Sequence, residues 1–239
     1  INLVLASLYL LDGDTSHISQ TILNGNHYVN PDSASVIYID GNQDTTTFIC
    51  GLTFTGGKGT TRWFPWAGSM VPHGGGCYIL NASPVIRYNQ FVSDSANNAG
   101  GIYSYKSSNI NISYNIFYRN YASTWAGAIR IDSCSNVDIN GNDIHENESY
   151  ACAGILSSKT PVLDITNNHF YGNIGHTDVS GVFTDNQEVS FSGNVVEDNI
   201  FNGGDFSGGA GCYFDKGIVT IIGNIFRRNP GNAYGALGL

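Results

Sequence analysis

The chain repeats itself every 26 or 27 residues over most of its length, and that period limits its fold more than any other feature. Asn89, Asn115, Asn142, Asn168, Asn194 and Asn224 stand at successive intervals of 26, 27, 26, 26 and 30 residues. Three residues before each is an apolar position (Ile86, Ile112, Ile139, Ile165, Phe191, Ile221), and two after it another (Phe91, Phe117, Ile144, Phe170, Val196, Phe226). Five after it comes a second polar column, Asp94, Asn120, Asn147, Asn173, Asn199 and Asn229. Within one unit, GGIYSYKSSNINISYNIFYRNYASTWA from Gly100 to Ala126, apolar and polar residues alternate through Ile102–Tyr105 and again around Ile110 and Ile112. The run resumes at Ile116, Phe117 and Tyr118 and closes in the loop YASTWA. This pattern predicts three short strands and three corners per unit, in an array whose units are stable only against their neighbours.

Stacked units place equal positions above one another at roughly the 4.8 Å strand spacing, so each column becomes a ladder. The Ile and Phe columns are expected to fill a narrow interior, joined in the first coils by Ile37, Ile39, Ile49 and Phe54. The Asn columns are expected at corners, where an amide tolerates a left-handed backbone and bonds the same amide one coil away. Gly51 and Leu52 replace the corner residues in an early coil, so the Asn ladder is expected to start at Asn89. No linker interrupts the pattern, and residues 1–239 read as one domain.

The formal charge of −9 argues against nucleic acid and anionic membrane as partners, since both demand a basic face. The apolar run INLVLASLYL is too short to span a bilayer, so no membrane insertion is expected. Of five cysteines, Cys77 and Cys212 share the inward column of Ile102, Ile129, Ile155 and Val182, several coils apart and beyond disulfide reach. Cys50, Cys134 and Cys152 lack the CxxC or Cys/His spacing of a zinc site, and neither metal nor cofactor is expected.

GGIYSYKSSNINISYNIFYRN resembles the repeat of bacterial right-handed parallel β-helix proteins. LASLYLLDGDTSHISQTILNGN, followed by SVIYIDGNQDTTTFICGLTFTGGKG, resembles the opening coils of large secreted proteins of that family. The resemblance implies an all-β, right-handed parallel β-helix with three short strands per coil, in an extracellular or bacterial cell-surface protein, and leaves the activity open. Both ends read as interior strand, in INLVLASLYL and YGALGL, so a longer protein with further covalently continuous domains is expected.

Two insertions and one face carry the chemistry. Residues 58–73, KGTTRWFPWAGSMVPH, hold Trp63, Phe64 and Trp66 and read either as an aromatic ligand-binding loop or as a cover over part of the solenoid. A smaller insertion, residues 200–211, emerges at the same corner further along. On the outward side of the first strand, alternation gives one column of Tyr38, Tyr78, Tyr103, Arg130, Leu156, Phe183 and Tyr213. Beside it runs Leu80, Tyr105, Asp132, Ser158, Asp185 and Asp215. Aromatics bordered by carboxylates suit the CH faces and hydroxyls of a polysaccharide, although stacked Tyr rings also protect a sheet. The reading is therefore a non-catalytic module binding polysaccharide or another surface ligand along this face, with Trp63, Trp66 and the Tyr, Phe and Asp residues as contacts.

Two alternatives stand beside it. In one, Asp185 and Asp215, on successive coils and about 5 Å apart, act with Arg130 as a polysaccharide lyase or glycoside hydrolase. Pectate lyases of this fold add a Ca²⁺-binding acid cluster that Arg130 lacks here, and the NTD, DD, GHG and RIK motifs of polygalacturonases are missing. The DIHEN of Asp143 to Asn147 superficially resembles epimerase motifs but falls on the third strand. The other alternative is a purely structural stalk.

Overall fold

The computed structural model describes residues 1–65, 67–186, 188–203, 208–232 and 235–239. They wind into a solenoid with four sheets of eight strands each. One turn runs through Ile102–Tyr105 in sheet D, Asn109–Ser113 in sheet A, Ile116–Tyr118 in sheet B and Tyr121–Trp125 in sheet C; Ile129–Asp132 then restarts sheet D. A fourth strand thus stands where the sequence suggested a loop. Its members are too short or too polar to show alternation; Glu148–Ser149 and Ile174–Gly175 have two residues each. Entry from sheet C into sheet D passes close to the next coil. A Cβ on Gly101 would lie 2.6 Å from the Ala128 carbonyl oxygen, which explains the Gly at this point of the repeat.

The expected columns hold in register. Ile139 pairs with Ile112 on one side and Ile165 on the other, and all three are fully buried. Phe54, Phe91 and Phe117 stack with ring centroids 4.6 and 4.9 Å apart. Cys77 pairs with Ile102 and Cys212 with Val182, and all five cysteines are buried free thiols. β-Branched and aromatic residues fill the interior because a stacked pleat presents the same narrow slot at every level.

The polar columns form two internal ladders. The Asn115 amide nitrogen donates to the Oδ1 of Asn142 at 3.1 Å and to the Ile86 carbonyl at 2.9 Å, while its backbone N–H donates to the same Oδ1 at 2.9 Å. This unit repeats from Asn89 to Asn224, and the Leu52 N–H closes the start by donating to Asn89 Oδ1. The second ladder runs through Asn120, Asn147, Asn173, Asn199 and Asn229, with Asp94 in its first place. The left-handed residue is not the Asn itself, as expected, but the one before it. Tyr88, Tyr114, Gly141, Asn167, Gly193 and Gly223 precede the first ladder, and Ser93, Arg119, Glu146, Gly172, Asp198 and Arg228 the second, all at positive φ. The tight corner turns each Asn inward, where its amide satisfies strand-end carbonyls that water cannot reach.

Two short helices, Tyr9–Asp12 and Ser16–Gln20, lie among the first coils. Among the described residues no helix is long and apolar enough to cross a membrane, and no three His, Cys, Asp or Glu side chains converge as a metal site would require.

Candidate functional site

The 58–73 insertion is a β-hairpin rather than a loop. Gly59–Phe64 pairs antiparallel with Ser69–His73, and the hairpin joins sheet C where His73 pairs with Asn98. Asn98 in turn pairs with Trp125 on the next coil. Sheet C therefore sets a column of His73, Asn98 and Trp125 beside the sheet D column of Tyr78, Tyr103 and Arg130. The hairpin bends over the meeting line of the two sheets, with Phe64 buried against His73 and Trp125, both ring pairs edge-on at 5.5 Å.

This roof corrects the expectation of an aromatic strip open to water. Tyr78 and Tyr103 are each 2% exposed, Arg130 3% and Asp132 4%. Tyr38, Tyr78 and Tyr103 do stack, at 5.3 and 5.5 Å, but their faces are taken by one another and by His73, which lies 4.7 Å from Tyr103. Alternation assigned the outward side correctly and could not show what lands on it. Tyr38, Tyr105, Phe183 and Tyr213 are half-buried, whereas Trp63 at the hairpin tip is 60% exposed. Trp66 lies outside the described residues.

Beneath the roof is a continuous polar network. Arg130 Nε donates to Asp132 Oδ2 at 2.8 Å, and its Nη1 donates to Asn98 Oδ1 at 3.2 Å. Its guanidinium lies 4.5 Å from the Trp125 ring centre and 4.9 Å from that of Phe64. Since Asn98 accepts through its oxygen, its amide nitrogen donates to His73 Nδ1, at 3.1 Å. Burial and the nearby Arg130 charge push the His73 pKa down to about 3, so the ring is neutral and can accept. Tyr103 donates its hydroxyl to Asp132 Oδ2 at 2.8 Å; burial, and next the Asp132 charge, raise its pKa and keep it a donor. The other Asp132 oxygen, Oδ1, is enclosed and has no partner.

Hairpin and sheet D together bound a cleft of about 220 Å³. One wall is Trp63, Phe64 and Pro65; the floor includes Tyr103, Tyr105 and Asp132; the far end is Ser133, Ser158 and Lys159. The structure thus brings Trp63, Tyr78, Tyr103, Tyr105 and Asp132 to one place, and leaves Tyr38, Phe183 and Tyr213 outside its lining. His73, Asn98 and Trp125 were absent from the sequence-derived site because they lie on the unrecognised fourth strand or next to it.

The proposed catalytic trio is dispersed in role. Arg130 is buried in an ion pair. Asp185 accepts the Ser158 hydroxyl and the Lys159 N–H, both at 3.2 Å, and so caps a corner of the preceding coil. Asp215 is exposed and paired with Lys216 at 3.1 Å. The insertion 200–211 begins as strand, Ile200–Phe201 in sheet C, and residues 204–207 lie outside the described residues. His145 of DIHEN sits on sheet B between Tyr118 and Tyr171, at 4.6 and 4.5 Å, away from the cleft.

Neither the curated proteins nor the solved structures contain a match to this chain. Among family profiles, the one described as right-handed beta helix region matches residues 6–226. With that match spanning nearly every coil, and with the stacked sheets and Asn ladders it implies in place, the chain belongs to the right-handed β-helix family.

Proposed function

We propose that this β-helix is an exported or cell-surface recognition module that binds a polysaccharide without turning it over, and that it does so in the roofed cleft rather than along the whole first-strand face. The observation that carries the reading is Asp132 Oδ1, an enclosed carboxylate oxygen without a donor on the floor of an aromatic-walled cleft. An unmet acceptor of this kind is costly, and a ligand hydroxyl entering the cleft relieves it. Trp63 supports the reading from the other wall, because an indole displayed to solvent at a cleft mouth offers an apolar face to a sugar ring. For recognition over catalysis speaks the fate of the charged groups: Arg130 is already paired and stacked, and Asp185 already accepts two hydrogen bonds.

Affinity electrophoresis through polysaccharide-containing gels tests this. Trp63→Ala should abolish retardation while changing stability by no more than about 0.5 kcal/mol, as for an exposed position. Retardation that survives the substitution, or its absence across a broad panel of polysaccharides for the unaltered protein, would refute the cleft as a glycan site. Replacing Tyr78 and Tyr103 would instead test folding, since both are buried.

A further inference from the structure

Taking the glycan reading of the cleft as its premise, the arrangement of charge around it narrows the ligand. We propose that the cleft takes a single uncharged pyranose ring of a neutral polysaccharide, with one ring hydroxyl donated to Asp132 Oδ1 and one CH face laid on Trp63, and that it discriminates against uronic acids.

The size comes first. A cleft of about 220 Å³ is smaller than the roughly 300–1,000 Å³ of sites that engulf a drug-sized ligand, so one ring enters and the rest of the chain runs outside. Charge decides the class of ring. Asp132 pairs across sheet D with Ser158, and Ser158 with Asp185, so two carboxylates bracket the Ser158 end of the cleft. The strongest nearby cation, Arg130, does not line the cleft; its Nε is spent on Asp132 Oδ2 and its flat face on Phe64 and Trp125. The cation on the lining is Lys159, whose own backbone N–H already holds Asp185.

A ligand carboxylate would thus approach Asp132 Oδ1, an acceptor that needs a donor, within a chain of net charge −9. A hydroxyl meets that requirement without charge repulsion. The Ser158 hydroxyl, which donates to Asp185 Oδ2, keeps lone pairs to accept a second sugar hydroxyl. Loss of a hydrogen-bonding hydroxyl at such a floor is penalised far more heavily than loss of apolar contact, and this makes Asp132 the specificity element and Trp63 the affinity element.

Calorimetric titration of the intact protein with cellohexaose, mannohexaose, xylohexaose, hexagalacturonic acid and a chitosan hexamer separates the possibilities. At least one neutral hexamer should bind, with hexagalacturonate at least tenfold weaker. The neutral Kd should stay constant between 50 and 500 mM NaCl, because no ion pair forms to be screened. The double variant Arg130→Gln/Asp132→Asn, which removes both members of the buried ion pair together, should bring the neutral and acidic hexamers closer in affinity. If that variant fails to fold, the salt series on the unaltered protein still decides. Tighter binding of hexagalacturonate or chitosan than of every neutral hexamer would overturn the neutral-ring assignment and leave the glycan reading standing. Binding of no hexamer of any class would overturn the glycan reading itself, and this inference with it.

Discussion

Asp94 stands where the second ladder elsewhere has Asn, and replacing it by Asn should stabilise the protein in a pH-dependent way. Its backbone N–H donates to Asn120 Oδ1 at 3.0 Å, and its Oδ1 accepts the Gly57 N–H at 2.8 Å, as a ladder amide would. Its Oδ2 is buried without a partner. One coil on, the Nδ2 of Asn120 donates to the Phe91 carbonyl and to Asn147 Oδ1, so the repeat puts Asp94 Oδ2 where a donor belongs. An ionised oxygen has no proton to give there, and burial drives the Asp94 pKa from 3.8 up to about 8. Asp94 is accordingly a neutral acid in the folded state at pH 7. The unfolded chain releases that proton above pH 3.8, so between pH 3.8 and about 8 the native state binds more protons and stability falls as pH rises. At about 1.36 kcal/mol per pH unit, the loss by pH 7 is of order 4 kcal/mol. Asn supplies a permanent N–H donor and has no proton to bind, so Asp94→Asn should gain roughly 2–4 kcal/mol at pH 7 and close to nothing at pH 4. At about 2–4 °C per kcal/mol for a chain of this size, thermal unfolding followed by circular dichroism at pH 4 to 8 would resolve it. A variant no more stable than the parent at pH 7, or a gain that does not grow with pH, would refute the argument.

Other perturbations test the fold and the site. Ile139→Ala, in the middle of the fully buried Ile column, should cost about 2–5 kcal/mol in urea unfolding. Arg130→Met alone should cost about 3–5 kcal/mol, because it strands the buried Asp132 carboxylate, and adding Asp132→Leu should recover most of that loss. His73 acts opposite to Asp94. Its folded pKa of about 3 lies below its ordinary 6.5, so the unfolded state binds more protons between those values and stability falls as the pH is lowered through that window. His73→Phe should flatten the acid limb of the stability profile, whereas Asp94→Asn should flatten the neutral one.

The coil was legible in the sequence because a 26-residue period repeats every environment. Columns such as Ile112, Ile139 and Ile165 had many chances to agree on one register. The two-residue strands of sheet C had no such redundancy, since Glu148–Ser149 and Ile174–Gly175 offer too few positions to show a period of two. The site was half legible for a related reason. Tyr103 and Asp132 were recognised as outward on the first strand, but the hairpin that encloses them is an insertion and obeys no repeat. Phe64 and Trp63 are neighbours in sequence and part company in space, one clamped against Trp125 and one in water, and nothing in the string RWFPW distinguishes them. His73 and Asn98 needed the fourth sheet to be seen before they could be placed beside Arg130.

The left-handed corner ahead of each ladder rung has an evolutionary consequence. Tyr88, Ser93, Tyr114, Arg119, Glu146, Asn167, Asp198 and Arg228 share little chemically, yet all hold the same positive φ. The strain of that conformation, roughly 1–2 kcal/mol for a residue with a Cβ, is common to all of them, so exchanging one such residue for another leaves it nearly unchanged. What enforces the bend is the buried amide that follows, not the identity of the corner residue. Two lines of positions down the solenoid can therefore be rewritten in charge, size or aromaticity with the coil intact, and selection can alter the outer coat of such a protein far faster than its frame.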